Sequence, residues 1–316
     1  MPKIVLSVVV PVFNEEEVIQ KTHSRLTDVM VSMGLPYEII YVNDGSIDQT
    51  YMLLRQIHQE DPHAVVVNFS RNFGQQAAVS AGLDAARGQA VVIIDADLQD
   101  PPEVIPDMVR AWREGADVAY GKRISRRGES WFKKFTAKVY YRLFQYFSKT
   151  NAPVDTGDFR LMDKKVVNII RHMDEKNRYL RGMVSWTGFN QVPVEFERDE
   201  RAAGETKYSL KNMLRLAGDG IFGFSSKPLS AVNLVGLLIC FLTLVAVIVR
   251  FIVDIIEYTW NPMVYVLCLM FFLVGLLFLG MGLLGNYIGR IYDEVRNRPL
   301  YIVGEFWRAK EQEEEE

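Results

Sequence analysis

The chain has 316 residues, with 36 Lys and Arg against 39 Asp and Glu and a formal net charge of −3. That balance argues against a nucleic-acid binder and leaves room for one large domain with an appendage. The 2 cysteines, Cys240 and Cys268, both fall in apolar segments, so neither a disulfide framework nor a zinc site is suggested.

From the N-terminus, Leu6 to Val12 reads as a strand that ends in Pro11-Val12-Phe13-Asn14-Glu15, and Glu15 to Met33 has helical periodicity. The pattern repeats. Tyr37 to Asn43 is a strand ending in Asp44-Gly45-Ser46, with a helix from Gln49 to about His58. Ala64 to Asn68 is a strand ending in Ser70-Arg71-Asn72, with a helix from Gln75 to Ala86. Ala90 to Ile94 is a strand, Pro102 to Glu114 a helix and Asp117 to Tyr120 a fifth strand. Alternation of this kind predicts an α/β fold, a Rossmann-like doubly wound and mostly parallel sheet, with every strand ending in loop-forming residues on one rim.

The fourth strand ends in Asp95-Ala96-Asp97-Leu98-Gln99-Asp100-Pro101-Pro102, three carboxylates within six residues. Ligands of open α/β sheets sit beyond the carboxyl ends of the strands, so Asp95, Asp97 and the Gln99 carbonyl are placed to hold a hard cation, Mg²⁺ or Mn²⁺, with a diphosphate as its other ligand. Asp100 can also serve as an acidic cap on the helix that follows. Along the same rim Asn14, Glu15, Asp44, Ser70, Arg71 and Asn72 could bind a base and ribose, Asp44 accepting from ribose hydroxyls. Neither a Gly-x-Gly-x-x-Gly nor a Walker-type loop is present, which disfavours a dinucleotide or an ATP P-loop.

Between Gly121 and Asn151 basic and aromatic residues interleave, and Ser130 to Ser148 reads as an interfacial helix on anionic lipid. Tyr208 to Phe224 reads as a second. Thr156-Gly157-Asp158-Phe159-Arg160 is a turn into a short strand, followed by a helix from Lys164 to Met173. Arg198 to Tyr208 is a polar, glycine-containing loop long enough to act as a lid. No charge occurs between Lys227 and Arg250 or between Glu257 and Arg290. Each gap supplies the roughly 20 apolar residues of a transmembrane helix, at about 229–252 and 262–285. The loop Asp254 to Pro262 has no Lys or Arg, whereas Lys207, Lys211, Arg215 and Lys227 precede the pair and Arg290, Arg296 and Arg298 follow it, which puts both termini in the cytoplasm. Gly285 and Gly289 have the small-residue spacing that supports helix association and a homo-oligomer. No basic n-region precedes a long apolar stretch at the start, so no cleaved signal peptide is expected. Leu300 to Trp307 should pack back on the catalytic domain or the membrane, and Glu311 to Glu316 is a solvated acidic tail.

Four motifs in order, Pro11-Val12-Phe13-Asn14-Glu15-Glu16, Val42-Asn43-Asp44-Gly45-Ser46, Asp95 to Pro102 and Thr156 to Arg160, resemble the inverting family 2 glycosyltransferases of GT-A fold. Within them the chain looks like the polyprenyl-phosphate branch, closest to the bactoprenol glucosyltransferases of bacteria and more distantly dolichyl-phosphate mannose synthase. The resemblance spans nearly the whole chain. It implies a cytoplasmic catalytic domain over 1–224, two transmembrane helices within 228–289 and a cytoplasmic tail over 290–316, on a bacterial inner membrane.

The resemblance also implies a UDP-sugar donor, undecaprenyl phosphate as acceptor and Mg²⁺ or Mn²⁺ as cofactor. Pro11, Phe13, Asn14, Glu15, Asp44, Ser70, Arg71, Asn72, Asp95 and Ala96 would then line the donor nucleotide. Asp95, Asp97 and Gln99 would hold metal and diphosphate, with Asp97 also catalytic. Asp158 would stand nearest the reacting carbon, and Arg201, Lys207 and Tyr208 would close over the diphosphate. Arg123, Arg127 and Lys134 are placed to hold the acceptor phosphate. Some relatives have His where Asp100 stands, which leaves the metal preference open. A processive polysaccharide synthase would want more membrane helices and a Gln-x-x-Arg-Trp motif, and neither is found. A non-enzymatic accessory subunit or flippase would explain the helix pair and not the rim of carboxylates.

Overall fold

The computed structural model describes residues 4–123, 156–176, 178–197 and 262–309. Two compact units are distinguished: Met1–Gln145 with Thr150–Met213 and Pro299–Glu316, and Tyr146–Lys149 with Leu214–Arg298. The expected interfacial segments at 130–148 and 208–224 and the first expected span at about 229–252 lie outside the described residues. So do Arg127, Lys134, Arg201, Lys207 and Tyr208.

In the first unit the apolar runs become β1 (Leu6–Val12), β2 (Tyr37–Asn43), β3 (Ala64–Phe69) and β4 (Ala90–Ile93), buried along nearly their whole lengths. That is what a sheet covered on both faces demands. The helices between them are α1 (Ile19–Met33), α2 (Thr50–Glu60) and α3 (Gln75–Ala85), and a 3-10 turn at Pro102–Val104 leads from β4 into α4 (Ile105–Arg113). All four strands are parallel, with Val9 in register between Ile40 and Ile93. Side chains alternate along a strand, so Val8, Val10, Ile39, Tyr41, Val66 and Val92 share a face and pack with Leu26, Leu54, Ile57, Ile105 and Met108. Each such side chain contributes about 1.5–3 kcal/mol on full burial. On the other face α3 lies so close to β1 that a Cβ added at Gly82 would stand 2.2 Å from Val9 Cγ1.

The rest of the sheet departs from simple winding. β6 (Thr156–Asp163) inserts between β4 and β5 (Val118–Arg123), antiparallel to both, so the segment expected as a turn and a short strand is an interior strand of 8 residues. β7 (Gln191–Phe196) pairs parallel with β5, and β8 (Val303–Trp307) pairs antiparallel with β3, giving the order β7-β5-β6-β4-β1-β2-β3-β8. Between β6 and β7 lie α5 (Lys164–Arg171) and α6 (Leu180–Trp186). The stretch Leu300 to Trp307 therefore returns to the catalytic sheet as an edge strand.

In the second unit the described part is α7 (Pro262–Arg296), 35 residues long. Over the side chains that are described, no helix is long and apolar enough to cross a membrane. Over its full sequence, α7 runs without a charged residue from Pro262 through Gly289.

Candidate active site

The loops after β1, β2 and β3 are tied to one another before any ligand is considered. Asn14 takes the left-handed conformation (φ 54°), which Asn tolerates better than most residues. Its amide donates to Ser46 Oγ at 2.9 Å, and its Oδ1 accepts the Ile47 amide at 2.9 Å. Glu15 N–H donates to Thr50 Oγ1 at 2.9 Å. Gly45 (φ 66°) is pressed against the next loop, where an added Cβ would meet the Arg71 carbonyl carbon at 2.4 Å.

Asp44 is the hub of this arrangement. Its Oδ1 accepts the Phe73 amide at 2.6 Å, and its Oδ2 accepts the Gly74 amide and Asn72 Nδ2, each at 2.9 Å. With 3 % exposure, the carboxylate clamps the loop that a nucleotide would touch. Burial raises its pKa, against the lowering effect of the Phe73 and Gly74 amides. Ser70, Arg71 and Asn72 stand exposed at the rim, the Arg71 guanidinium 4.1 Å above the Phe73 ring centroid. Pro11, the last residue but one of β1, and Phe13 beyond it are partly buried beside them.

The second group gathers at the end of β4. Leu98 is buried at 2 % exposure in the left-handed region (φ 56°), a conformation that costs a non-glycine residue about 1–3 kcal/mol and persists only where the surroundings impose it. The turn it makes lets Asp97 Oδ1 accept the Gln99 amide at 3.1 Å. Thr22 Oγ1 on α1 donates to the Ala96 carbonyl at 2.7 Å and fixes the motif from below. The residue at the N-cap of the following helix is Pro101, which gives it no side-chain cap. Asp100 is buried, 1 % exposed, with its Oδ1 3.5 Å from Arg123 Nη2.

β6 brings the remaining acid. Arg160 pairs in register with Ile93, so Asp158, two residues earlier on an antiparallel strand, comes level with the end of β4. Its Oδ1 accepts Arg181 Nε at 2.7 Å. Burial alone would raise the Asp158 carboxyl, but the charge of Arg181, followed by those of Arg160 and Arg123, holds it below the usual carboxylate range. Arg160, lowered to about 10 by its own burial, donates to the carbonyls of Gly157 at 3.0 Å and Asp158 at 3.4 Å and braces this backbone.

Asp95 is different. It accepts Gln75 Nε2 at 3.0 Å, and among the described residues it has no ion-pair partner. Burial first, then the charges of Asp158, Asp100 and Asp97, push its carboxyl up to about 7. Hard carboxylate oxygens short of positive charge fit a divalent cation. Mg²⁺-type sites take one or two carboxylates and complete their shell with substrate phosphates; among the described residues no group of three His, Cys, Asp or Glu could hold a metal ion. Gln75 follows Gly74 directly, so the start of α3 joins the Asp44 clamp to this carboxylate.

Arg181, Arg160 and Gln75 were not singled out as site residues by sequence reasoning. Arg160 stood inside a recognised motif. Arg181 and Gln75 come from segments without one, and only the sheet order brings them to the rim.

Carboxylates gathered beyond the strand ends of a mixed α/β sheet mark the rim at which α/β enzymes bind their ligands. Residues 7–170 match the profile of glycosyl transferase family 2, and the chain belongs to that family; it is a glycosyltransferase. It is 49 % identical over 301 residues to the uncharacterised glycosyltransferase YkcC of Bacillus subtilis, covering 94 % of this chain and 92 % of that one. A second uncharacterised glycosyltransferase, sll0501 of Synechocystis, is 44 % identical over 96 % of this chain and 95 % of its own. The SfII prophage-derived bactoprenol glucosyl transferase of Shigella flexneri is 39 % identical over 94 % of this chain and 97 % of its own.

Proposed function

We propose that the protein transfers glucose from UDP-glucose to undecaprenyl phosphate with inversion, giving a polyprenyl monophosphoglucose at the cytoplasmic face of a bacterial inner membrane. The observation that carries this reading is the likeness to a bactoprenol glucosyl transferase along nearly the full length of both chains, a span that includes the apolar C-terminal segments as well as the catalytic sheet. In this reading α7 is the second of two membrane helices. Its uncharged part, at about 1.5 Å per residue, exceeds the ~30 Å hydrocarbon core.

The rim residues Pro11, Phe13, Asn14, Glu15, Asp44, Ser70, Arg71, Asn72 and Ala96 take the uridine, while Asp95, Asp97 and Gln99 hold the cation. A divalent ion, if held by these residues, would supply positive charge to the leaving diphosphate. Arg123, whose Nε is buried without a hydrogen-bond partner, faces the acceptor phosphate together with Arg127 and Lys134, and Arg201, Lys207 and Tyr208 cover the diphosphate. The acceptor phosphate oxygen attacks the anomeric carbon, a new C–O bond forms as the bond to UDP breaks, and UDP leaves with the electron pair. A phosphate monoester with a second pKa of about 6 is already largely ionised at neutral pH, so no base is required and Asp158 acts on the sugar by its charge.

The test is incubation of the purified full chain with a panel of UDP- and GDP-sugars and undecaprenyl phosphate, followed by mass analysis of the lipid. A hexose adduct formed from UDP-glucose in preference to the other donors is expected. Absence of lipid product from every donor overturns the proposal.

A further inference from the structure

The carboxylate that the reaction places nearest the sugar is not held by its own strand. Asp158 stands on β6, flanked by Arg160 on the same strand, Arg123 on β5, Asp95 and Asp100 beyond β4, and Arg181 on α6. Two of the three arginines are committed elsewhere. Arg160 points its donors at the carbonyls of Gly157 and Asp158, and Arg123 pairs with Asp100. Among the described residues it is Arg181 that donates to the Asp158 side chain, through Nε at 2.7 Å, with 7 % of the Asp158 side chain exposed and 27 % of the arginine. A side chain gripped at one oxygen by a planar donor keeps one orientation.

The helix that carries Arg181 is itself fastened from behind. Leu180 N–H donates to Gln76 Oε1 at 3.0 Å, and Leu180, Gly182, Met183 and Val184 are buried. Gln76 neighbours Gln75, which holds Asp95. The start of α3 therefore sets the position of Asp95 directly and that of Asp158 through α6 and Arg181.

We propose that Arg181 is a positioning residue for sugar transfer, acting through Asp158, which it orients against the reacting carbon. The proposal rests on the reading of Asp158 given above. Removing the guanidinium frees the carboxylate to rotate, while the uridine reading rests on the loops after β1, β2 and β3 and not on α6. Misplacement of a reacting group by about 1 Å can cost on the order of 100-fold in rate. Arg181→Gln should therefore lower kcat by about that factor, with the UDP dissociation constant and the KM for lipid each changed by less than about threefold. Arg181→Lys keeps the charge on a flexible stem and should recover about a tenth of the lost rate or more. In the double variant Asp158→Asn with Arg181→Gln, the second substitution should add little to the first, as for residues acting as one unit.

The measurements are UDP binding by calorimetry and initial rates with UDP-glucose and undecaprenyl phosphate, on full-length variants whose melting temperatures are compared with wild type. If wild type transfers and Arg181→Gln transfers equally well, Arg181 has no such role. The same follows if the two single effects multiply in the double variant, or if UDP affinity falls as far as kcat. If wild type itself makes no lipid product, the failure is of the proposed function and not of the arginine.

Discussion

Asp95 sets a test that separates cation binding from catalysis. Its carboxyl ionises near 3.8 in an unfolded chain and is pushed up to about 7 here. The folded, cation-free protein therefore holds a proton that the unfolded chain has lost, a contribution to stability that is complete below about 3.8 and vanishes as pH rises through about 7. A cation takes the ionised form, so its stabilising effect should grow in the opposite sense. The gain in melting temperature on adding Mn²⁺ or Mg²⁺ is expected to rise from about pH 5 to about pH 8, and Asp95→Asn should abolish that trend. A pH-independent gain would place the cation elsewhere. Asp97→Asn should reduce turnover by orders of magnitude, and full activity in EDTA would refute the metal assignment altogether.

Two further residues should sort by substrate. Asp44 accepts three hydrogen bonds from the loop of residues 72–74, and bonds to a charged group are worth about 1.5–3 kcal/mol each. Asp44→Asn gives up charge and one acceptor, so UDP affinity should fall about tenfold or more while the KM for lipid holds. Arg123→Gln should do the reverse. It keeps a donor near buried Asp100, which alanine would remove, so it is the fairer substitution. Calorimetry with UDP and rate against lipid concentration on both variants decide the matter. If Arg123→Gln weakens UDP as much as lipid, Arg123 belongs to the donor side.

At the scale of elements, Gly82 holds α3 to the sheet by closeness. Gly82→Ala places a methyl 2.2 Å from Val9 Cγ1, which α3 relieves only by lifting off β1, at an expected cost of about 1–3 kcal/mol. Because α3 begins at Gln75 and Gly74, that lift should also loosen UDP binding; a variant with a lowered melting temperature and unchanged UDP affinity would show that the start of α3 is held independently of its middle. The legibility of the chain follows the same physics. β1 to β4 and α1 to α4 could be read because strands buried on both faces need unbroken apolar runs. β7 could not, since Gln191-Val192-Pro193-Val194-Glu195-Phe196 is mostly half-exposed and carries a proline that only an edge strand accepts. β6 was underestimated because its polar start, Thr156-Gly157-Asp158, hides an interior strand. Asp95, Asp97, Asp100, Arg123 and Asp158 were legible as strand ends or motif members, whereas Arg181 depends on a helix whose place only the tertiary fold decides.

For the whole molecule, the chain beyond α7 changes how anchoring and chemistry can be separated. β8 completes the sheet beside β3, with Ser70 N–H donating to the Ile302 carbonyl at 3.1 Å and Tyr301 stacked on Phe69 at 5.0 Å between ring centroids. Trp307 meets Tyr51 and His58. Beyond it Arg308 Nη2 stands 3.1 Å from Glu38 Oε2, with the carboxylate side chain 6 % exposed, a buried pair whose breaking costs about 3–5 kcal/mol. A chain ending near Phe224 loses all of this. It should melt earlier and aggregate through the bared edge of β3, and weak UDP binding in it would say nothing about residues 225–298. Replacing residues 225–298 by a long Gly/Ser linker keeps β8 and Arg308 on the chain, and Gly/Ser segments impose no geometry of their own. That form is expected to bind UDP within about threefold of wild type, since no residue assigned to the donor lies in the replaced segment, while losing most transfer to undecaprenyl phosphate in membranes through loss of effective concentration at the lipid surface. Loss of UDP binding in a linker form that melts like wild type would mean that the helical unit takes part in the donor site.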